Sequence, residues 1–173
     1  MSSAQMATLS YQTAQTPEST LELKIQRRLL RLVPTEKAFG FSLQEVGDQP
    51  LSSDQLYLDE LTLEPQEQLR SLRYGLLEVP LPPGADVEST TWGMQLKGQD
   101  AQLAPLEKAR HEPGQLSYVV PLDNLEGKTV IRHLVRFSQK GVFELPATRY
   151  WRMYDPQQQA VEHGASLSRL QVQ

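Results

Sequence analysis

The side chains able to do acid–base, nucleophilic or metal chemistry are present in this sequence, but not at the spacings such chemistry needs. His111, His133 and His163 show neither the i, i+4 pairing nor the nearby carboxylates of a metal site. His133 falls on the core side of its strand, where a hydrogen bond is expected to hold it. Ser117, Ser138 and Ser166 have no G-x-S-x-G context that would present a nucleophile. Glu22, Glu45, Asp59, Glu60, Glu78 and Glu144 lie in or beside strands with no motif linking two of them as acid and base. Residues 123–126 hold two acids without the ligand series of a calcium loop. There is no cysteine, so disulfides, thiolate zinc sites and cysteine nucleophiles are excluded. The residue types predict no enzyme, no metal and no cofactor.

Two groups remain. Arg132 and Arg136 share one face of a strand, with Arg149 and Arg152 nearby in sequence. Such a face could take an acidic partner, but outward arginines more often form a solvated surface that discourages edge pairing. The other group is Tyr150-Trp151-Arg152-Met153-Tyr154. Aromatic residues, Met and Arg together have the composition of an interface hot spot, and a core edge gives the same string, so composition leaves both readings open.

The elements that must position these residues alternate with a period of two. In 20–33, TLELKIQRRLLRLV, Leu21, Leu23 and Ile25 alternate with polar residues, and the apolar set then moves to Leu30 and Leu32. That change of phase predicts a β-bulge. Strands follow at 39–46, closed by the VGDQP turn, and at 54–63, where the phase again moves, from Leu56 and Leu58 to Leu61 and Leu63. Residues 69–79 run into the PLPPG corner, which stops any regular element. Residues 85–113 are the least periodic; a short helix is expected at 101–110, and Trp92 and Met94 are expected at a core edge. A strand at 115–122 ends near Pro121 and a turn of about six residues follows. In 128–137 the set Thr129, Ile131, His133, Val135 and Phe137 faces the core. Residues 138–141 then make a hairpin turn, with a positive φ at Gly141, into a return strand at 142–145. Asp155-Pro156 is a break, 157–164 is read as polar loop, and 166–172 as a short edge strand. Strands of this length divided by Pro and Gly predict an all-β fold, an antiparallel β-sandwich with at most one or two short helices.

A chain of 173 residues with a net charge of −4 fits one domain and offers nucleic acid no electrostatic attraction. No apolar run approaches the roughly 20 residues of a membrane helix, and no export signal is visible. Residues 1–19 are expected as a flexible lead-in, with a short strand at 8–11, and 20–173 as the domain. Met6 after Met1 in a polar segment suggests a domain cut from a longer chain.

Two separated motifs, PLPPGADVE and KGVFELPATRYWRMYDP, resemble the carboxy-terminal macroglobulin-like domain of bacterial alpha-2-macroglobulins. In that family a Pro-Leu-Pro-Ala-Gly segment follows a strand, and Gly-x-Phe-x-Leu-Pro-Pro leads to Met-Tyr-x-Pro. Here Gly141, Phe143, Leu145, Pro146, Met153, Tyr154 and Pro156 carry the second motif, and Ala147 replaces the second Pro. The resemblance implies a non-catalytic domain of a periplasmic protease trap whose parent is in some cases tethered to the inner membrane. Its partners would be the thioester domain of the same chain and, through the whole protein, target proteases. It also implies that Met153 and Tyr154 face the thioester and keep water from it, with Tyr150, Trp151 and Arg152 as support. The other reading is an adhesive or carbohydrate-binding sandwich that uses Trp151 and Tyr150 as a stacking platform.

Overall fold

The computed structural model describes residues 18–66, 71–88, 94–96, 109–112, 114–164 and 167–173. The strand expected at 8–11, most of the helix expected at 101–110, and Trp92 lie outside the described residues.

The described residues form strands and turns, with no helix among them. In chain order the strands are β1 (Leu23–Pro34), β2 (Gly40–Glu45), β3 (Leu56–Pro65), β4 (Leu72–Pro80), β5 (Ala85–Val87) and β6 (Gln95–Leu96). They continue with β7 (Ser117–Leu125), β8 (Thr129–Phe137), β9 (Gly141–Glu144), β10 (Arg149–Arg152), β11 (Asp155–Val161) and β12 (Arg169–Val172). One sheet has the order β5-β8-β3-β1-β2-β6, a second β11-β10-β4-β7, and β12-β9 form a small third sheet. Among the described residues the strand pairings are antiparallel apart from the two-residue contact of β2 with β6, and an isolated parallel bridge joins Leu51 to Val172 of β12. Leu23, Ile25 and Leu29 of β1, Tyr57, Leu61 and Leu63 of β3, and Ile131, Val135 and Phe137 of β8 pack against Leu77 and Val79 of β4, Tyr118 and Val120 of β7, and Tyr150 of β10. The fold is the antiparallel β-sandwich expected from the alternation.

The bulge expected in β1 is absent, and β3, where the phase also moves, is unbroken as well. The register runs unbroken from Leu23↔Pro65 to Arg31↔Tyr57, and β3 continues in register with β8 from Leu56↔Arg136 to Leu63↔Thr129. The core face of β1 is Leu23, Ile25, Arg27 and Leu29, and that of β3 is Tyr57, Asp59, Leu61 and Leu63. The apparent changes of phase occur because each strand places one charged residue on its core face. Arg27 and Asp59 are both buried and form a two-pronged pair, with Nε to Oδ1 at 2.9 Å and Nη2 to Oδ2 at 2.7 Å. Leu30 and Leu58 face the other way, and with Leu134 they make a second apolar cluster against which Leu32, Leu43 and Met94 pack.

Three further expectations are corrected. β8 and β9 are not a hairpin, because both edges of β8 are already occupied, by β3 and by β5. Beyond Phe137 the Ser138 N–H and hydroxyl both donate to the Gly84 carbonyl, the chain leaves the sheet, and β9 pairs with β12 instead. β7 does not stop at Pro121 but runs to Leu125, leaving a short turn. It is the edge of its sheet, so the missing N–H of Pro121 interrupts no ladder. Residues 155–161 form the edge strand β11, in which only Ala160 is buried. Its outer edge is satisfied by the entering chain, with Thr20 and Leu21 N–H donating to Gln159 O and Val161 N–H to Ser19 Oγ.

His133 is on the core face as expected, fully buried, but neither ring nitrogen has a hydrogen-bond partner. Its ring meets Tyr118 edge-on at 5.1 Å. Burial lowers its pKa to about 4, against a smaller opposing pull from Asp59, so the imidazole is neutral at pH 7. The unfolded chain, with an ordinary histidine, takes up this proton first. The contribution of His133 to stability is therefore complete above pH 6.5 and is lost as pH falls from 6.5 to about 4, a change on the order of 3 kcal/mol. Denaturant titrations of the wild type and His133→Phe across that range should diverge by about this amount, with the variant less sensitive to acid. Breaking the buried ion pair by Asp59→Ala should cost about 3–5 kcal/mol in the same assay, since it leaves the buried Arg27 charge without its carboxylate counter-ion.

Candidate domain interface

The residues the sequence singles out meet at the turn between β10 and β11. Tyr150, Trp151 and Arg152 alternate along β10, and Met153-Tyr154 form the turn itself. Alternation separates their roles. Tyr150 points inward and is fully buried, Trp151 and Arg152 are half-buried, and Met153 and Tyr154 are 48% and 82% exposed. The core reading holds for the start of the string, where Tyr150 is buried, and the end presents exposed apolar side chains of the kind an interface would use.

The tip is braced from below. β10 pairs with β4, with Tyr150 opposite Leu77 and Arg152 opposite Gly75. The Tyr150 ring lies over Gly75, so a Cβ there would run into its Oη, Cζ and Cε2 atoms. Glycine at 75 is required by that close approach, since its φ is not left-handed. Burial raises the pKa of Tyr150, with a smaller opposite pull from Arg152, and its hydroxyl has no hydrogen-bond partner. At the base of the turn Arg152 Nη1 donates to Gln158 Oε1, and Gln158 Nε2 donates to Asp155 Oδ2, each at 2.8 Å. The register of β10 with β11 shifts between Trp151 and Arg152, and this irregularity turns the tip outward.

Sequence reasoning missed Tyr74, on the neighbouring strand β4. It is 51% exposed and meets Tyr154 edge-on with ring centroids 5.6 Å apart, a geometry worth about 0.5–1.5 kcal/mol beyond area burial. Its carbonyl accepts the Met153 N–H at 2.8 Å. No motif could have flagged it, because its partner is 80 residues away in sequence and the pairing of β4 with β10 was not legible.

The other candidates do not assemble. Arg132 is buried and bound to Glu60 at 2.6 Å, and Arg28 binds the other Glu60 oxygen at 2.6 Å, which holds the Glu60 pKa below the carboxylate norm despite burial. The expected open arginine face is therefore corrected: only Arg136 of that strand pair is exposed, 3.4 Å from Glu88. Arg149 and Arg152 belong to the other sheet, and Arg149 stacks over Trp151 at 4.4 Å. With Tyr150 buried and Trp151 under Arg149, the pair is not a sugar-stacking platform. Among the described residues no three His, Asp or Glu side chains are grouped to hold a metal ion. Of the strand carboxylates, Glu45, Asp59, Glu60 and Glu78 act as ion-pair partners, as in Asp59–Arg27 and Glu78–Arg149.

The chain matches the family described as Bacterial Alpha-2-macroglobulin MG10 domain over residues 24–157. An Alpha-2-macroglobulin of Ralstonia nicotianae is 38% identical over 187 residues, covering 91% of this chain and 12% of that protein. Native alpha-2-macroglobulin from Escherichia coli, in a crystal structure spanning domain MG7 to the C-terminus, aligns with TM-score 0.64 at 21% identity, over 94% of this chain and 25% of that one. Salmonella alpha-2-macroglobulin reacted with methylamine aligns with TM-score 0.63 at 21% identity, over 92% and 10%. These structural likenesses show the fold.

Substituting Gly75 by Ala should force the Tyr150 ring to move and cost about 1–3 kcal/mol of stability, measurable by denaturant unfolding.

Proposed function

This chain belongs to the bacterial alpha-2-macroglobulin MG10 domain family, and from that premise we propose that it is the last, non-catalytic domain of a protease-trapping protein. It spans 12% of the length of the Ralstonia relative, so the trap itself belongs to a longer chain. In this reading residues 20–173 are the domain and 1–19 its lead-in. The parent acts in the periplasm: a protease cuts a bait segment elsewhere, the molecule rearranges, and a reactive thioester in another domain captures the attacker.

The observation that supports a shielding role is the tip. Met153 and Tyr154 are apolar-rich side chains held in solvent by a braced turn, where a chain with no further contact to make would place polar residues. A thioester is an electrophile that water destroys. A thioether and an aromatic ring laid over it exclude water, and the phenol can still hydrogen-bond at the rim. Tyr150, Trp151 and Arg152 support that surface without entering it, Tyr150 from the core. The domain performs no bond-making step of its own, and its release after bait cleavage would uncover the bond.

Met153→Ala and Tyr154→Ala in the full-length, thioester-bearing parent should each speed spontaneous thiol release on the order of tenfold, equivalent to about 1.4 kcal/mol of barrier. An unchanged thioester lifetime in both variants would sink the shielding role.

A further inference from the structure

The sequence motif ends at the β10–β11 turn, but the surface it belongs to does not. The continuation of the β10–β4 register beyond Arg152↔Gly75 sets Met153 opposite Tyr74, and the Met153 N–H donates to the Tyr74 carbonyl at 2.8 Å. The side chains meet one residue further on, with the Tyr74 and Tyr154 rings edge-to-face at 5.6 Å and 81°. Tyr74 thus contacts the tip twice, once through its backbone and once through its ring.

Its backbone is unusual. Tyr74 has φ +54°, in the left-handed region that a Cβ disfavours, while the adjacent Gly75, which could adopt it freely, does not. On its other side the β4–β7 ladder pairs Arg73 with Asn124 and Gly75 with Leu122, passing over Tyr74. Strand β4 therefore turns one residue out of its pairing with β7 and keeps the bond to the tip. A large, half-exposed aromatic held in a strained conformation at a sheet surface, with a glycine next to it, is the pattern left by a functional constraint rather than by folding economy.

We propose that Tyr74 is the third member of the shielding surface and the residue that positions it: its carbonyl fixes Met153, its ring fixes Tyr154, and its exposed face meets the same partner domain of the parent chain. The inference rests on the shielding role of Met153 and Tyr154 and adds the residue that sets their orientation. Tyr74→Gly keeps the left-handed backbone and removes the ring, and Tyr74→Phe keeps the ring.

The test follows oxidation of Met153 by dilute hydrogen peroxide in the native full-length chain, read on its peptide by mass spectrometry, with thermal unfolding as the check on folding. Tyr154→Ala should raise the Met153 oxidation rate several-fold, Tyr74→Gly should do the same without lowering the unfolding midpoint, and Tyr74→Phe should behave as wild type. If Tyr154→Ala raises the rate and Tyr74→Gly leaves it at the wild-type value, Tyr74 has no positioning role and the shielding surface stands without it. If neither variant changes the rate, Met153 is not covered, and the shielding role fails together with the inference.

Discussion

The structure depends on one buried carboxylate. Asp59, at the centre of β3 and fully buried, takes both prongs of the Arg27 guanidinium and the hydroxyl of Tyr118 at 3.0 Å. Arg27 Nη1 also donates to the Pro80 carbonyl at 2.7 Å. Arg27 and Asp59 belong to the six-stranded sheet, and Pro80 and Tyr118 to the four-stranded one. Apolar packing between sheets tolerates sliding, whereas a charge without partners in the interior does not, so this cluster sets how the two sheets align. Burial alone would lower the Arg27 pKa, but Asp59 outweighs it and leaves the value raised, and burial together with Asp59 pushes Tyr118 well above the usual phenol. Arginine stays charged and tyrosine stays a donor, as the network requires.

The same arrangement explains how a small surface at the far end of the second sheet is held still. Strand β4 begins beside the tip and ends at Pro80, where Arg27 holds it. Along its length it carries Leu77 and Val79 into the core, Gly75 beneath Tyr150, and Tyr74 beside Tyr154. The tip residues are therefore not a floppy hairpin end. They stand on a strand anchored in the interior, with the Arg152–Gln158–Asp155 hydrogen bonds closing the base of the turn. The proposed shielding role would need this, because a gap of a single water molecule would defeat it.

Where the strand reading went astray, the cause was a polar residue in an apolar role, an apolar signal too weak to register, or an edge already taken by a strand distant in sequence. Arg27 and Asp59 look like interruptions of an alternation that they in fact continue, since a charge counts as core only when its partner is known. Strand β11 reads as loop because its outer edge faces the entering chain at Ser19 and Thr20 rather than a hydrophobic layer. The sequence near 138–145 fits a hairpin, yet β8 has no free edge, because β5, three residues long and 50 residues earlier, already occupies it.

The chain's own residues determined the fold class, the core face of β8 and the absence of catalytic spacing, and the resemblance of a motif to a known family singled out the segment 150–156. These follow from local rules: alternation selects the buried face, and a motif is contiguous by definition. Tertiary structure alone decided that Tyr150 is core, that Arg132 is buried against Glu60, and that Tyr74 contacts the tip. Each of those outcomes is a pairing between strands distant in sequence. A strand's hydrogen-bonding edges are the same whatever its sequence, so its neighbours are chosen by the packing of the whole sandwich.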